Sequence, residues 1–205
     1  MSPLLTIFRS NAYNTGDNDV GLFPKTARIN HSCRPNSGNW WSEKRGKRVI
    51  YAARDIEMGE EITISYIPLL KTREERQARL VQYGFECGCD ACMASRVSPE
   101  SDERRTKISS LLDELELELY PRERTGKMNK KLLDKALLLV EYVEEEKLTD
   151  YIARCYHLAA VFSERRKKWE DARDWAEKEL EVSRLAGEDS KEVLAALEFI
   201  DGLEQ

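Results

Sequence analysis

The hydrophobic positions of this 205-residue chain change their pattern near residues 95–99. Beyond that point apolar residues recur every three or four positions, the spacing that places them on one face of an α-helix. Helices are predicted over about 108–119, 128–140, 150–166, 169–186 and 191–203. Residues 98–205 therefore predict an all-α region, opened by Ser98 as a cap and Pro99 at the first helical position.

Small and aromatic side chains in the third and fourth of these helices indicate close helix packing. Ala159, Phe162, Ala172 and Ala176 are spaced loosely like the packing positions of a tetratricopeptide hairpin. The spacing is one residue off, and the glycine that usually follows the first small position is missing. We therefore expect a tetratricopeptide-like array of helical hairpins, not a regular repeat.

The first 70 residues favour short strands and turns. Strands are predicted over about 20–24, 40–41, 48–53 and 62–66, where β-branched and aromatic residues concentrate. The second and third of these flank Gly46 and predict a hairpin with glycine at a turn position of positive φ. Residues 11–19 predict a loop. A helix capped by Thr72 should run to about Gln82 and end at Gly84.

Composition limits the class of protein. Hydrophobic residues make up 41% of the chain and charged residues 35%, as in a charge-rich globular protein. The formal net charge is −5, whereas direct nucleic-acid binding usually needs a basic surface, so none is expected. An acidic balance suits a lysine-rich partner, but it is also the ordinary way to keep a protein in solution.

The chain also lacks the signals of a membrane or secreted protein. No segment approaches the roughly 18 consecutive apolar residues of a membrane span, and residues 1–5 lack the basic and apolar regions of a signal peptide. Five cysteines, three of them bunched, suit a metal site in a reducing compartment better than a disulfide framework. We expect an intracellular protein, in the nucleus or the cytoplasm, without membrane contact.

The bunched cysteines have the spacing of a zinc site. Three thiolates fall within six residues, at Cys87, Cys89 and Cys92. Structural zinc sites use four tetrahedral ligands, so one ligand must come from elsewhere, and Cys33 and His31 are the other candidates. Such a bridge would convert metal binding into folding free energy for a segment with little core. Cys155 lies in an apolar helical pattern and is expected to be a small buried residue.

Three motifs follow one another within about 65 residues: RINHSCRPN at 28–36, GEEITISY at 59–66 and YGFECGCDAC at 83–92. Together they resemble the C-terminal half of a SET-domain protein-lysine methyltransferase with its post-SET zinc segment, in the branch that also carries a MYND finger and a helical C-terminal domain. The resemblance implies an α+β protein. Residues 1–70 would be the C-terminal half of the SET domain, 71–97 the post-SET helix and zinc segment, and 98–205 the helical domain.

The resemblance implies two cofactors, S-adenosyl-L-methionine and Zn²⁺. Asn30 and His31 would line the S-adenosylmethionine pocket, partly through main-chain hydrogen bonds. Asn11 lies at a position that also touches the cofactor, although an asparagine in a turn-rich loop is equally expected on local grounds. Phe85 would stack near the adenine ring. Cys33 would be the fourth zinc ligand.

The resemblance also assigns the residues of methyl transfer. Tyr66 would place its hydroxyl at the transfer point, and Tyr83 would line the channel for the substrate lysine, where aromatic faces suit an alkylammonium chain. Lysine methylation is an in-line displacement by a neutral amine, so positioning and electrostatics dominate. Without the resemblance, Tyr66 would be interpreted as strand packing, and Tyr83 and Phe85 as packing of the cysteine segment.

The expected function is that of a protein-lysine N-methyltransferase acting on a lysine-containing protein, histone or non-histone. Fewer than 30 residues precede Asn30, so the N-terminal SET half and the MYND finger are expected to be absent. The sequence would then be a fragment, a truncated form or a degenerate relative. The alternative is a non-catalytic interaction module of SET-domain descent, whose helical array binds a peptide in its groove. Cofactor binding discriminates between the two. The sequence does not specify the target lysine, the degree of methylation or the oligomeric state.

Overall fold

The computed structural model describes residues 3–16, 19–93, 99–120, 125–188 and 190–203. The chain divides into an N-terminal unit, residues 1–69 with 73–97, and a helical unit, residues 70–72 with 98–205. The boundary predicted near 95–99, including the Ser98 cap, lies almost wholly outside the described residues. The predicted α+β class is confirmed, because short strands precede a series of long helices.

The N-terminal unit is built from short elements. They are α1 (Pro3–Asn11), β1 (Ala12–Asn14), β2 (Val20–Leu22), β3 (Asn30–His31), β4 (Ser37–Ser42), β5 (Lys47–Ala52), β6 (Thr63–Ile64) and α2 (Arg73–Leu80), with 3-10 turns at Thr26–Arg28 and Val81–Tyr83. The strands form two-stranded sheets: β1 with β2 and β4 with β5 are antiparallel, and β3 with β6 is parallel. A parallel pair needs a long connection, and here that connection contains the β4–β5 hairpin.

The predicted hairpin is confirmed. Its register runs from Ser37 opposite Ala52 to Ser42 opposite Lys47, and Gly46 in the turn has a φ of 56°. Gly38 is required for a different reason. A Cβ at that position would lie 2.3 Å from the Tyr51 ring, so the absence of a side chain at Gly38 leaves room for that ring.

Two features of this unit differ from the prediction. Helix α1 and strand β1 were not predicted, and β1 lies in the expected loop. Helix α1 has only nine residues, and its Leu5 and Ile7 are exposed, so these apolar positions give it no strong helical signal in the sequence. The strand expected over residues 62–66 pairs only at Thr63 and Ile64. It ends there because the Tyr66 N–H donates to the His31 ring rather than to a strand carbonyl.

The helical unit contains the five predicted helices. They are α3 (Pro99–Leu117), α4 (Gly126–Glu145), α5 (Thr149–Glu164), α6 (Trp169–Ala186) and α7 (Lys191–Gly202). Each packs on the next in the chain. The hydroxyls of Thr125 and Ser190 cap α4 and α7 by accepting the N–H groups of Met128 and Val193. No helix in the described part of the chain combines the length and apolar character that a bilayer crossing requires.

The packing residues predicted for α5 and α6 are buried. Ala159, Phe162, Ala172 and Ala176 are all inaccessible to solvent, so the predicted packing face is confirmed, while the likeness to tetratricopeptide hairpins stays a prediction. Cys155 is also fully buried, as predicted, and burial raises the pKa of its thiol to about 12.

A charged cluster lies inside the helical unit. Glu146, at the end of α4, accepts hydrogen bonds from Ser101, Arg104 and Arg105 on α3, at 2.8, 3.0 and 3.1 Å. Glu146 and Arg105 are fully buried. A buried ion pair of this kind fixes the register of two helices, whatever its net effect on stability.

Candidate functional site

The parallel pair β3–β6 joins the motif at 28–36 to the motif at 59–66. Asn30 lies opposite Thr63, and His31 lies opposite the fully buried Ile64. The Ser32 N–H extends the ladder by donating to the Ile64 carbonyl at 3.1 Å. Two segments about 30 residues apart in sequence are therefore held side by side.

Tyr66 is held at three points just beyond β6. Its N–H donates to His31 Nδ1 at 3.0 Å, its hydroxyl donates to the Ile29 carbonyl, and its own carbonyl accepts the Tyr83 hydroxyl at 3.3 Å. Burial lowers the pKa of His31 to about 4, so at neutral pH the imidazole is uncharged and Nδ1 can accept. Burial raises the pKa of Tyr66, so its phenol keeps the proton that it donates.

Three aromatic rings gather around Tyr66. Its ring centroid lies 5.4 Å from His31, 5.1 Å from Tyr83 and 6.3 Å from Phe85, the last in an edge-on arrangement. These separations are those of favourable aromatic pairs. Gly84 stands between Tyr83 and Phe85 with a φ of 79°, a left-handed turn that lets both neighbours reach the same cluster.

Two adjacent clefts border this cluster. The larger, about 460 Å³, is lined by Asn30, His31, Ser32, Glu61, Thr63 and the segment 85–89. The smaller, about 230 Å³, is lined by Ser10, Asn11, Tyr13, Ala27, Asn30, Tyr66, Tyr83 and Phe85. Asn30 and Phe85 border both clefts, and Phe85 is 38% exposed. The larger volume lies within the usual range of small-ligand pockets, roughly 300–1,000 Å³.

The two asparagines predicted to touch a cofactor lie at different clefts. The Asn30 side-chain amide donates to Glu61 Oε1 at 2.6 Å, which fixes its orientation at the border of both. Asn11 is the last residue of α1, and its side-chain amide donates to the Ile7 carbonyl at 2.8 Å. Asn30, His31 and Phe85 are thus brought together at the larger cleft, while Asn11 reaches only the smaller one, with Tyr66 and Tyr83.

The four cysteines predicted as ligands come together. The Sγ atoms of Cys33, Cys87, Cys89 and Cys92 lie within 4.8 Å of one another, and those of Cys33 and Cys92 are 3.6 Å apart. Four sulfurs at about 2.3 Å from a tetrahedral zinc would be separated by roughly 3.8 Å, so the group fits this ion. His31 lies beside the group, with Nε2 3.3 Å from Cys33 Sγ.

The sulfurs interact strongly with one another. Hydrogen bonding with the other cysteines, most strongly with Cys87, raises the pKa of the Cys33 thiol. Hydrogen bonding with Cys33 lowers the pKa of the Cys89 thiol. The Cys33 N–H also donates to Cys89 Sγ at 3.4 Å, a contact that favours the thiolate form. Protons shared within such a group are those that a bound cation would displace.

Asn36 was not predicted as a site residue. It is buried, and its Nδ2 donates to Glu60 Oε1 at 3.0 Å and to the Glu61 carbonyl at 2.8 Å, while its Oδ1 accepts the Thr63 N–H at 2.9 Å. One amide therefore ties the end of the first motif to the second. Locally, an asparagine after Pro35 indicates only a turn, so the sequence carried no signal of these distant partners.

Helix α2 also contributes contacts that were not predicted. The Gln77 side chain donates to the Cys87 carbonyl at 2.8 Å and accepts the Cys87 N–H at 3.0 Å. Arg73 Nε donates to the Cys92 carbonyl at 2.8 Å, and Arg76 Nη2 donates to the Ala91 carbonyl at 3.2 Å. The spacing of these three side chains, i, i+3 and i+4, could have indicated a common helix face.

Comparison with known proteins agrees with this arrangement. Residues 6–67 match the family model of the SET domain. Histone-lysine N-methyltransferase set5 of Schizosaccharomyces pombe is 38% identical over 112 residues, 53% of this chain and 35% of the relative. Histone-lysine N-methyltransferase SMYD3 of Homo sapiens is 46% identical over 74 residues, 36% of this chain and 17% of the relative. Histone-lysine N-methyltransferase ATXR2 of Arabidopsis thaliana is 45% identical over 76 residues, 36% of this chain and 16% of the relative.

Residues 6–67 are therefore similar in sequence to a SET domain. The predicted resemblance to the SET-domain protein-lysine methyltransferases is confirmed. The chain spans about a third or less of the length of the curated relatives described above.

Proposed function

We propose that this chain carries the cofactor-binding and methyl-transfer residues of an S-adenosyl-L-methionine-dependent protein-lysine N-methyltransferase. The observation that carries the proposal is the parallel strand pair that fastens Asn30 and His31 to Tyr66 beside two joined clefts. The names of the relatives support a lysine-containing protein, such as a histone, as the substrate. They also support a nuclear or cytoplasmic location.

The larger cleft fits the cofactor in size and in chemistry. Phe85 offers a partly exposed aromatic ring for the adenine, and Asn30 and the β3 main chain offer hydrogen-bonding groups. When bound, S-adenosyl-L-methionine supplies a methyl group on a positively charged sulfur. The hydrogen bond to Glu61 would hold the Asn30 side chain in one orientation before the cofactor binds.

The smaller cleft fits the side chain of the substrate lysine. Its walls include the rings of Tyr66, Tyr83 and Phe85, and desolvation by such walls lowers the pKa of a lysine amine towards the neutral form that can attack. The Tyr66 hydroxyl directs its proton to the Ile29 carbonyl, so its oxygen can accept a hydrogen bond from the amine. That contact would orient the amine for in-line transfer.

The proposal includes a structural zinc ion held by Cys33, Cys87, Cys89 and Cys92. Cys33 follows His31 by two residues, and Cys87 follows Phe85 by two. A metal that joins these cysteines would therefore fix Phe85 against His31, where the two ring centroids are 6.3 Å apart. Zinc would act through position and not on the substrate.

Methyl transfer tests the proposed function. The zinc-loaded chain would be incubated with methyl-labelled S-adenosyl-L-methionine and core histones, and mass spectrometry would locate the label. We expect label on lysine, and Tyr66→Phe should reduce the rate by about 100-fold or more, because a positioned hydroxyl at the reacting amine is lost. Tyr120→Phe, an exposed position in the helical unit, is the matched control. An unchanged rate in Tyr66→Phe would contradict the assigned role.

The alternative function, a non-catalytic interaction module, is favoured by one feature of the helical unit. A cleft of about 530 Å³ has a mainly acidic lining, because four carboxylates outnumber its one lysine. The lining residues are Leu137, Asp171, Asp174, Trp175, Glu177, Lys178 and Glu181. Such a groove suits a basic peptide. Binding of a lysine-rich peptide that weakens in Asp174→Asn, by a chain that does not bind S-adenosyl-L-methionine, would support this alternative.

A further inference from the structure

A fully buried arginine lies against the cysteine group. Arg76, on α2, has no solvent-accessible surface. Its Nη2 lies 3.9 Å from Cys92 Sγ, and its guanidinium also hydrogen-bonds the Cys33 sulfur. Cys33 and Cys92 are 59 residues apart in sequence, and their sulfurs are 3.6 Å apart in space. Arg76 therefore contacts sulfurs from both segments that the zinc would join.

The contact between Arg76 and the sulfurs matters because a zinc ion with four thiolates is negatively charged. Zinc bound to four thiolates carries two net negative charges, which are costly to keep away from water unless positive charge lies nearby. A guanidinium stays protonated in essentially every protein environment, and it is less strongly hydrated than an ammonium, so it is the cation best suited to a buried position. Arg76 offsets one of the two negative charges while it donates hydrogen bonds to the sulfurs.

The same guanidinium also fixes the loop that carries three of the ligands. It donates to the Ala91 carbonyl at 3.2 Å, between Cys89 and Cys92. Arg73 and Gln77 hold the same loop from the same face of α2, but their bonds end on the main chain of Cys92 and Cys87. Arg76 differs from both neighbours because it also reaches the sulfurs.

We propose that Arg76 is a positioning residue that compensates the charge of a tetrathiolate zinc site and thereby sets its affinity for the metal. The proposal rests on the zinc site of the proposed function, but not on methyl transfer or on cofactor binding. It predicts that loss of the positive charge weakens metal binding, because groups that surround the first ligands of a metal commonly change its affinity by about 10- to 100-fold.

Chelator competition on the full chain measures that affinity. Arg76→Met should weaken zinc binding by about 10- to 100-fold, and Arg76→Lys, which keeps the charge, should recover part of the loss. Arg73→Met removes a bond to the main chain of the same loop, and Arg79→Met removes an exposed arginine from the same helix. We expect a smaller loss in Arg73→Met than in Arg76→Met, and none in Arg79→Met.

A cobalt-substituted chain gives a readout that a purely structural role would not change. Hydrogen bonds and positive charge lower the energy of sulfur lone pairs, so the sulfur-to-cobalt charge-transfer band should move to longer wavelength in Arg76→Met and stay near the wild-type position in Arg73→Met. Arg76→Lys should give a band between those of the wild type and Arg76→Met. If Arg76→Met does not fold, Arg76→Gln takes its place, because it also removes the charge but keeps a polar side chain.

The outcomes separate this proposal from the zinc site itself. If the wild-type chain binds neither zinc nor cobalt, the zinc site and the role of Arg76 are both overturned. If wild-type binding is tight but Arg76→Met or, if that variant does not fold, the uncharged Arg76→Gln has wild-type affinity and an unshifted band, only the role of Arg76 is overturned. An equal loss in Arg73→Met and Arg76→Met, with no band shift, would overturn charge compensation in favour of loop anchoring alone.

Discussion

The two units of this chain bury different kinds of side chain. The helical unit buries mainly leucine, isoleucine, valine and alanine along α3–α7, whereas the described part of the N-terminal unit buries more polar and sulfur-containing residues than apolar ones. The buried residues of the second kind are Thr26, His31, Ser32, Cys33, Asn36, Ser37, Ser42, Arg76, Cys87 and Cys92. Apolar burial is non-directional and shared among many residues, whereas hydrogen bonds and metal bonds depend on particular partners. Single changes should therefore be more disruptive in the N-terminal unit.

Removal of zinc should have the largest effect. Structural zinc contributes about 10–16 kcal/mol to a small site, comparable with the whole stability of a domain, about 5–15 kcal/mol. Chelation, or Cys89→Ser, should therefore abolish amide protection around residues 28–36, 59–66 and 83–92, while helices α3–α7 keep theirs. Hydrogen–deuterium exchange with peptide resolution measures both units in one experiment.

Cys155→Ala is the matched control for this experiment, because Cys155 is buried in the helical unit and lies outside the cysteine group. It should leave zinc content unchanged. Equal loss of protection in both units after chelation would show that the units do not differ in the way proposed.

Loss of the Asn36 side chain should have the next largest effect. Asn36→Ala removes a buried amide and takes this partner from the Thr63 N–H and the Glu61 carbonyl, both in partly buried hydrogen bonds, which should lower the free energy of unfolding of the N-terminal unit by about 1–3 kcal/mol. Denaturant titration followed by exchange in residues 28–36 and 59–66 checks this. Asn14→Ala, which removes an exposed local bond to the Gly16 N–H, should change it by less than about 1 kcal/mol. Equal effects of the two substitutions would contradict the special role of Asn36.

The smallest predicted effect is a pH dependence in the helical unit. His157 Nδ1 lies 3.0 Å from Glu179 Oε2, and this hydrogen bond raises the pKa of His157 above its ordinary value of 6.5. The imidazole also packs against the Phe199 ring in a T-shaped arrangement, with the ring centroids 6.3 Å apart. Because the folded pKa exceeds the unfolded one, the stabilisation is fully present below the unfolded pKa and is lost as pH rises through the folded pKa.

Thermal unfolding of the helical unit between pH 6 and pH 8 measures this dependence. The midpoint should fall by a few degrees as the pH rises, and His157→Gln should remove that fall. A fall of the same size in His157→Gln would assign the pH dependence to other groups.

The sequence predicted the helical unit better than the N-terminal unit for a physical reason. Helix α6 begins at Trp169 and ends at Ala186, as predicted, because its apolar repeat and its terminating glycine are both local signals. Strands β3 and β6 have two residues each, too few for an alternating pattern. They are held by contacts such as Asn36 to Thr63, 27 residues apart, which no local pattern contains.

The candidate site shows the same division. Three cysteines could be assigned to a metal from their spacing alone, but the fourth ligand remained open between Cys33 and His31 until the resemblance was considered. In the structure, the Cys33 sulfur lies with those of the other three cysteines. His31 lies beside this group and accepts a hydrogen bond from the Tyr66 N–H. The burial of Arg76 against the cysteines could not be predicted from the sequence, because an arginine in a charged helix normally indicates an exposed face.

Cofactor binding tests the central claim most directly. Calorimetry of the zinc-loaded chain with S-adenosyl-L-methionine should show one saturable site. Phe85→Ala should weaken the affinity by roughly 10-fold or more, since an aromatic stacking contact is worth about 1–3 kcal/mol, and Tyr120→Ala should leave it unchanged. No binding by a folded, zinc-loaded chain, or binding that is indifferent to Phe85→Ala, would contradict the assignment of the cleft at Asn30, His31 and Phe85 as the cofactor site.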